Sequence, residues 1–145
     1  MKRTDFGVDW LFAACAPDTE LLPWNAQFTP VDLPPDWQSR HADDLYRDGT
    51  LFYRKYFFVT DVPGTRRMLW FGGAYMDTTV FVNGTEVGQW KYGYTSFWFD
   101  ITDALHEGQN EVLVRCNLRH PNSRWYSGAG LYPTVELWEA HDLHI

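Results

Sequence analysis

Asn122, Arg124 and Trp125 stand almost side by side in a glycine-rich stretch, Asn122 to Gly130, together with Ser123 and Tyr126. Side chains of these types can grip a hydroxyl-rich ligand. Planar amides and guanidinium groups hydrogen-bond hydroxyls, and Arg124 offers five donors in a fixed fork. An indole ring packs against C–H faces. The same residues also have a structural use: Arg124 can pair with a nearby carboxylate, and Trp125 can plug the end of a packed fold. A second polar stretch, Arg40 to Asp48, holds Asp44 and Tyr46, the groups there most able to bond a hydroxyl. An ordinary surface loop is the preferred account of them.

Other chemistry is absent from the pattern. The chain has 19 acidic residues, and Asp43-Asp44 is the only adjacent pair in a polar loop. Solvated carboxylates explain that pair. Glu86, Glu107, Glu111 and Glu136 fall at turns or strand edges and are expected to face solvent, so no catalytic carboxylate pair is assigned. Five histidines, His41, His106, His120, His141 and His144, show no ligand spacing with cysteine, and no metal or other cofactor is expected. No glycine-rich phosphate loop is present. Cys15 lies in an apolar run and Cys116 ends one. Buried free thiols are expected, with a single bridge between them left open.

Size and composition bound what can hold these groups. A chain of 145 residues is the size of one compact domain, with a substantial core. Aromatic residues make up 18%, including eight Trp, and core packing is the default use for most of them. The net charge of −7 argues against nucleic acid, whose phosphates need basic patches. The pairs Arg54-Lys55 and Arg66-Arg67 sit in strand-like runs, where alternation sends neighbours to opposite faces; solvated strand ends are the expectation. A faint signal-like start is interrupted by Asp5 and Asp9, and no apolar run is long enough to span a membrane. A cytoplasmic, non-membrane protein is expected.

The positioning elements are strands. Residues 1–30 read as an irregular wrap broken by Pro17, Pro23 and Pro30, with Trp10, Phe12, Trp24 and Phe28 packed onto the body. From Leu51 onward, runs rich in aromatic and β-branched residues alternate with turn signals: Leu51–Thr60, Arg67–Phe71, Thr78–Val82, Thr85–Trp90, Tyr94–Asp100, Glu111–Asn117 and Tyr132–Trp138. Asn83-Gly84 between two strand-formers predicts a two-residue hairpin, because both residues tolerate positive φ. That account is preferred over a glycosylation acceptor at Asn83-Gly84-Thr85. Residues 101–105 form at most one helical turn. Short strands at close spacing without a long helix indicate an all-β sandwich or barrel; a jelly-roll sandwich fits the strand count and is the expectation, here as a single domain over residues 1–145.

Three segments, in order, resemble glycoside hydrolase family 2, the β-galactosidase and β-glucuronidase family. The first is Leu33-Pro34-Pro35-Asp36-Trp37, followed by Phe52-Tyr53-Arg54-Lys55-Tyr56-Phe57. The second is Val82-Asn83-Gly84-Thr85-Glu86-Val87-Gly88, then Gly93-Tyr94-Thr95-Ser96-Phe97 and Phe99-Asp100-Ile101-Thr102. The third runs from Pro121 to Tyr132. Departures occur at Pro35, at Pro133 and over residues 116–120, and they weaken the assignment of substrate more than that of fold. The resemblance implies the galactose-binding-like jelly roll that opens such enzymes. It also implies an immunoglobulin-like sandwich and a catalytic (β/α)₈ barrel following in a longer parent chain. The barrel alone takes about 250 residues and supplies the two glutamates of a retaining hydrolysis. Loops of this domain in relatives reach the sugar site, which assigns Asn122, Arg124 and Trp125, and secondarily Asp44 and Tyr46, to sugar contact. The expectation is therefore a non-catalytic sugar-binding accessory domain that packs on the barrel, with its parent a β-galactosidase-like hydrolase of β-linked glycosides. Two alternatives stay open: an independent lectin-like module with exposed Trp and Tyr on one face, and a structural sandwich for domain or subunit assembly. A homo-oligomer is compatible with each.

Overall fold

The computed structural model describes residues 2–16, 19–31, 49–60, 64–72, 77–90, 97–118 and 135–141. Among them are ten strands: β1 (Lys2–Asp5), β2 (Trp10–Cys15), β3 (Thr29–Val31), β4 (Gly49–Val59), β5 (Thr65–Phe71), β6 (Asp77–Val82), β7 (Thr85–Trp90), β8 (Phe97–Asp100), β9 (Gly108–Leu118) and β10 (Val135–His141). The only helical element among the described residues is a 3-10 turn, Thr102–Ala104. The strands form two antiparallel sheets, a four-stranded one ordered β1-β10-β5-β8 and a six-stranded one ordered β3-β2-β4-β9-β6-β7. The expected jelly-roll sandwich is the observed architecture.

Alternation builds the core. On β5, Thr65, Arg67, Leu69 and Phe71 are buried while Arg66, Met68 and Trp70 turn outward. On β9, Val112, Val114 and Cys116 point inward and Leu113 outward, as their sequence pattern predicts. Leu51, Tyr53 and Val59 of β4 meet Leu69, Phe71, Val135 and Phe97 of the facing sheet in one continuous cluster. Apolar burial of this kind supplies most of the driving force for folding. The sheets approach closely where Phe99 lies against Gly88. A Cβ at Gly88 would overlap the Phe99 ring, so the glycine is there for space. The Asn83-Gly84 hairpin forms as predicted, with φ of +51° and +83° at its two turn residues.

Three sequence expectations need correction. Residues 1–30 are not an irregular wrap, since β1, β2 and part of β3 lie within them. β1 is a polar edge strand whose identity comes from pairing with β10, as Arg3 opposes Trp138. β2 shows little alternation because both its faces are partly covered. Residues 19–28 lie against the outer face of the six-stranded sheet. Arg115 Nη1 donates to Glu20 O at 2.6 Å, and the Arg54 guanidinium lies over the Phe28 ring at 4.1 Å. Trp24, however, is 96% exposed rather than packed inward.

The second correction concerns the basic pairs. Lys55 and Arg67 are not solvated; each is buried, while Arg66 remains exposed. Lys55 Nζ donates to Val8 O at 2.5 Å and stands 4.9 Å from the Phe6 ring centre. Alternation held, but one member of each pair faces the interior. Third, Glu111 and Glu136 are half-buried and engaged. Glu111 pairs with Arg54 at 3.2 Å, and Glu136 accepts the Trp138 indole N–H at 2.8 Å.

Cys15 and Cys116 are both free thiols. Cys15 opposes Thr50, and Cys116 opposes Leu51, so they lie on two strands either side of β4 with side chains on opposite faces. No bridge can form. Cys116 is fully buried and Cys15 only partly, with burial pushing the Cys15 thiol pKa up.

Candidate functional site

The five residues singled out from the sequence, Asp44, Tyr46, Asn122, Arg124 and Trp125, lie outside the described residues. So do Asp36, Tyr92 and Tyr94. The strand ends that anchor their segments are described, and these converge. Gly49, where the chain returns from residues 32–48, pairs with Leu118, where it departs into residues 119–134. Asp77 pairs with Asn117 of the same strand end. Thr78 pairs with both Cys116 and Trp90, and the Trp90 ring stacks on Phe97 at 5.3 Å. Phe97 and Val135 in turn both pair with Phe71. One end of the sandwich thus anchors the segments carrying Asp44 and Tyr46, and Asn122, Arg124 and Trp125. Functional residues on loops at one end of a rigid scaffold are the common arrangement in β-sandwiches.

The opposite end is closed by hydrogen bonds. Asn83 Nδ2 donates to Ala104 O at 2.8 Å and to Asn110 Oδ1 at 2.7 Å, and Asn83 Oδ1 accepts from Glu111 N at 2.9 Å. Asn110 Nδ2 donates to His106 O and Gly108 O, while its Oδ1 also accepts from His106 N at 3.0 Å. These two asparagines tie the β6–β7 turn to the β8–β9 connection. Chemistry at that end would have to break a satisfied polar network.

A surface that the sequence reading did not single out lies on the outer face of the four-stranded sheet. Trp70 and Trp138 stack with ring centres 6.0 Å apart and planes within 9°, and Arg3 covers the Trp138 ring at 4.6 Å. Trp98, half-exposed, is directly opposite Trp70. The signal was available: all three Trp occupy outward positions of neighbouring strands. Among the described residues the other exposed aromatics are Tyr56 and Phe58, on β4 of the six-stranded sheet, and Trp24, in the segment that lies against that sheet's outer face. Among the described residues, exposed aromatics are therefore divided between two faces.

On the same outer face Asp100 pairs with Arg66 and accepts the Thr102 backbone N–H at 3.0 Å. Partial burial alone would raise the Asp100 pKa. The hydrogen bonds from Thr102 and the Arg66 guanidinium outweigh it and hold the carboxyl below its ordinary 3.8. The folded state then binds the proton less readily than the unfolded chain. The pair's contribution is complete above pH 3.8 and is lost as pH falls below it through the folded value. Asp100→Asn should lower the urea midpoint at neutral pH by an amount equivalent to no more than about 1 kcal/mol, as for surface pairs. The difference from the unsubstituted chain should shrink at strongly acidic pH. A difference independent of pH would contradict this.

The two antiparallel sheets define a jelly-roll β-sandwich. Comparison with known proteins shows what the chain is similar to. No protein-family model matches the chain. A β-galactosidase of Bacteroides ovatus is 35% identical over 163 aligned positions, covering 99% of this chain and 19% of that protein. A β-glucuronidase of Bacteroides fragilis is 34% identical over 107 positions, covering 65% of this chain and 15% of that protein. The crystal structure of a glycosyl hydrolase family 2 member from Bacteroides cellulosilyticus superposes with a TM-score of 0.78 at 27% identity. It covers 97% of this chain and 21% of that one. The chain is a β-sandwich domain similar, in sequence and in fold, to part of glycoside hydrolase family 2 proteins. It spans about a fifth or less of the length of the curated relatives it matches.

Proposed function

We propose that this chain is the non-catalytic accessory domain of a β-galactosidase-like glycoside hydrolase, packing on the catalytic barrel and lending loop residues to one wall of the sugar pocket. One observation carries the reading: nearly the whole chain matches a β-galactosidase, yet it accounts for only 19% of that enzyme. A catalytic barrel would need more residues than the chain has. The pairing of Gly49 with Leu118 supports a shared role for the two candidate segments, because it joins their anchors at one strand end. Arg124 and Asn122 then bond sugar hydroxyls, Trp125 stacks beneath a C–H face, and Asp44 and Tyr46 add further hydrogen bonds.

The test is Arg124→Ala in the full-length parent enzyme. A hydrogen bond from a charged group to substrate is worth about 1.5–3 kcal/mol. kcat/KM should therefore fall roughly tenfold to a hundredfold with stability unchanged. Normal kinetics in a normally stable variant would end the reading for Arg124. Calorimetry of this chain alone with galactose, glucose, mannose and glucuronate should detect no binding tighter than millimolar. A micromolar affinity would instead favour an independent lectin-like module.

A further inference from the structure

The dipeptide Asn83-Gly84 is chemically special. An asparagine followed by glycine is the sequence most prone to deamidation, because an unbranched Gly lets its own backbone nitrogen reach the preceding side-chain carbonyl carbon. In the unfolded chain nothing hinders that approach. In the fold, Asn83 is held by four hydrogen bonds. Its backbone N–H donates to Glu111 O at 2.9 Å, and its Oδ1 accepts from Glu111 N at 2.9 Å. Its Nδ2 places one hydrogen on Ala104 O and the other on Asn110 Oδ1. All the hydrogen-bonding hydrogens of the side chain are in use, and Asn83 is fixed at φ +51° in the turn. The side chain cannot rotate to present its carbonyl carbon to Gly84 N without breaking the network.

We propose that Asn83 is a modification site gated by folding: locked while the β6–β7 turn is tied to β9, and open to deamidation once that tie is released. The chemistry needs only water. Gly84 N loses its proton and attacks Asn83 Cγ; a C–N bond forms, and the amide nitrogen leaves as ammonia. Water then opens the five-membered imide at either carbonyl, giving aspartate or isoaspartate. The net change replaces an amide by a carboxylate and releases ammonium.

The fold also decides what happens next. In the aspartate product an oxygen replaces Nδ2, so it faces Ala104 O and Asn110 Oδ1, two acceptors 2.8 and 2.7 Å from the position that donated to them. Two hydrogen bonds become two repulsive contacts, and a charge is placed where the site is half-buried. The product is therefore disfavoured in the native turn, and modification during an unfolding episode opposes return. The isoaspartate form, with its extra backbone carbon, cannot keep the two-residue hairpin geometry at all.

The tryptic peptide Met68–Lys91 contains Asn83 as its only asparagine, so its mass reports the reaction. This chain is incubated in mildly alkaline buffer with and without concentrated urea, and the peptide is followed by mass spectrometry. Conversion in urea should run about tenfold or more faster than in the folded chain, whose opening is rare. Equal rates would overturn the gating. The trap is tested with Asn83→Asp against Asn83→Gly, which keeps the turn but has no side chain to repel. Asn83→Asp should have the lower urea midpoint or fail to fold; a midpoint equal to or above that of Asn83→Gly would overturn the trap.

Discussion

Trp10→Ala is expected to cost about 3–5 kcal/mol of folding stability, the range for truncating a fully buried large aromatic side chain. Trp10 has no exposed surface, and its indole N–H donates to Phe6 O at 2.6 Å. Its ring meets Phe6 edge-to-face, and Phe6 meets Phe57 in the same way at 5.1 Å. Phe6 N also donates to Val135 O in the other sheet at 2.8 Å. Trp10 therefore supports the corner at which the chain crosses between sheets, and its loss empties a cavity and leaves the Phe6 carbonyl unbonded. A domain of this size has total stability on the order of 10 kcal/mol, so the variant should lose a third to a half of it. The urea midpoint should drop with little change in slope, and Trp10→Phe should recover part of the loss. A change below about 1 kcal/mol would show that the corner is not supported as described.

The second large effect concerns the ion pair between the sheet interior and β10. Arg67 Nε lies 2.8 Å from Glu139 Oε2, and Arg67 Nη2 donates to Thr60 O at 3.0 Å. The Arg67 side chain is only 7% exposed. Glu139→Ala removes the countercharge and strands a guanidinium where water scarcely reaches it. Breaking a fully buried pair costs about 3–5 kcal/mol, and the partial exposure of Glu139 brings the expectation to about 2–3 kcal/mol. The diagnostic is the double replacement Arg67→Met with Glu139→Leu. It should be more stable than Glu139→Ala alone, because apolar groups of similar volume carry no uncompensated charge. A double variant less stable than the single would mean that the pair contributes more than it costs to bury.

What the sequence disclosed follows physical lines. The strands of the middle of the chain were legible because aromatic and β-branched runs with one inward face leave a period-two trace. The Asn83-Gly84 turn was legible because its geometry admits few other residues. β1 left no trace, since Lys2, Arg3, Thr4 and Asp5 are all exposed and are strand only through pairing with Glu136–Glu139. β2 was hidden because residues on both of its faces are partly covered, so its burial does not alternate. Lys55 and Arg67 were misread because charge in a strand signals solvent unless a partner waits inside. Val8 O, Thr60 O and Glu139 are such partners, and none is near enough in sequence to be recognised. The candidate sugar residues belong to segments with no periodic trace, so type and order alone carried them, while pairing between Gly49 and Leu118 is what ties their anchors together.

The pairing of β1 with β10 also governs when the molecule can assemble. Lys2–Asp5 find their partners only at Glu136–Glu139, and the residues of β4 wait for β9, between 49 (Val59 to Gly108) and 69 (Gly49 to Leu118) positions later. Such long-range pairing makes folding slow, in the millisecond-to-second range for comparable all-β topologies. During synthesis at about 5–20 residues per second, the first strand must remain unpaired for several seconds. Within that interval β4, with β2 already made, presents an open edge to other chains until β9 emerges. Premature release or crowding of nascent chains is then the point of greatest exposure to aggregation in this domain's life.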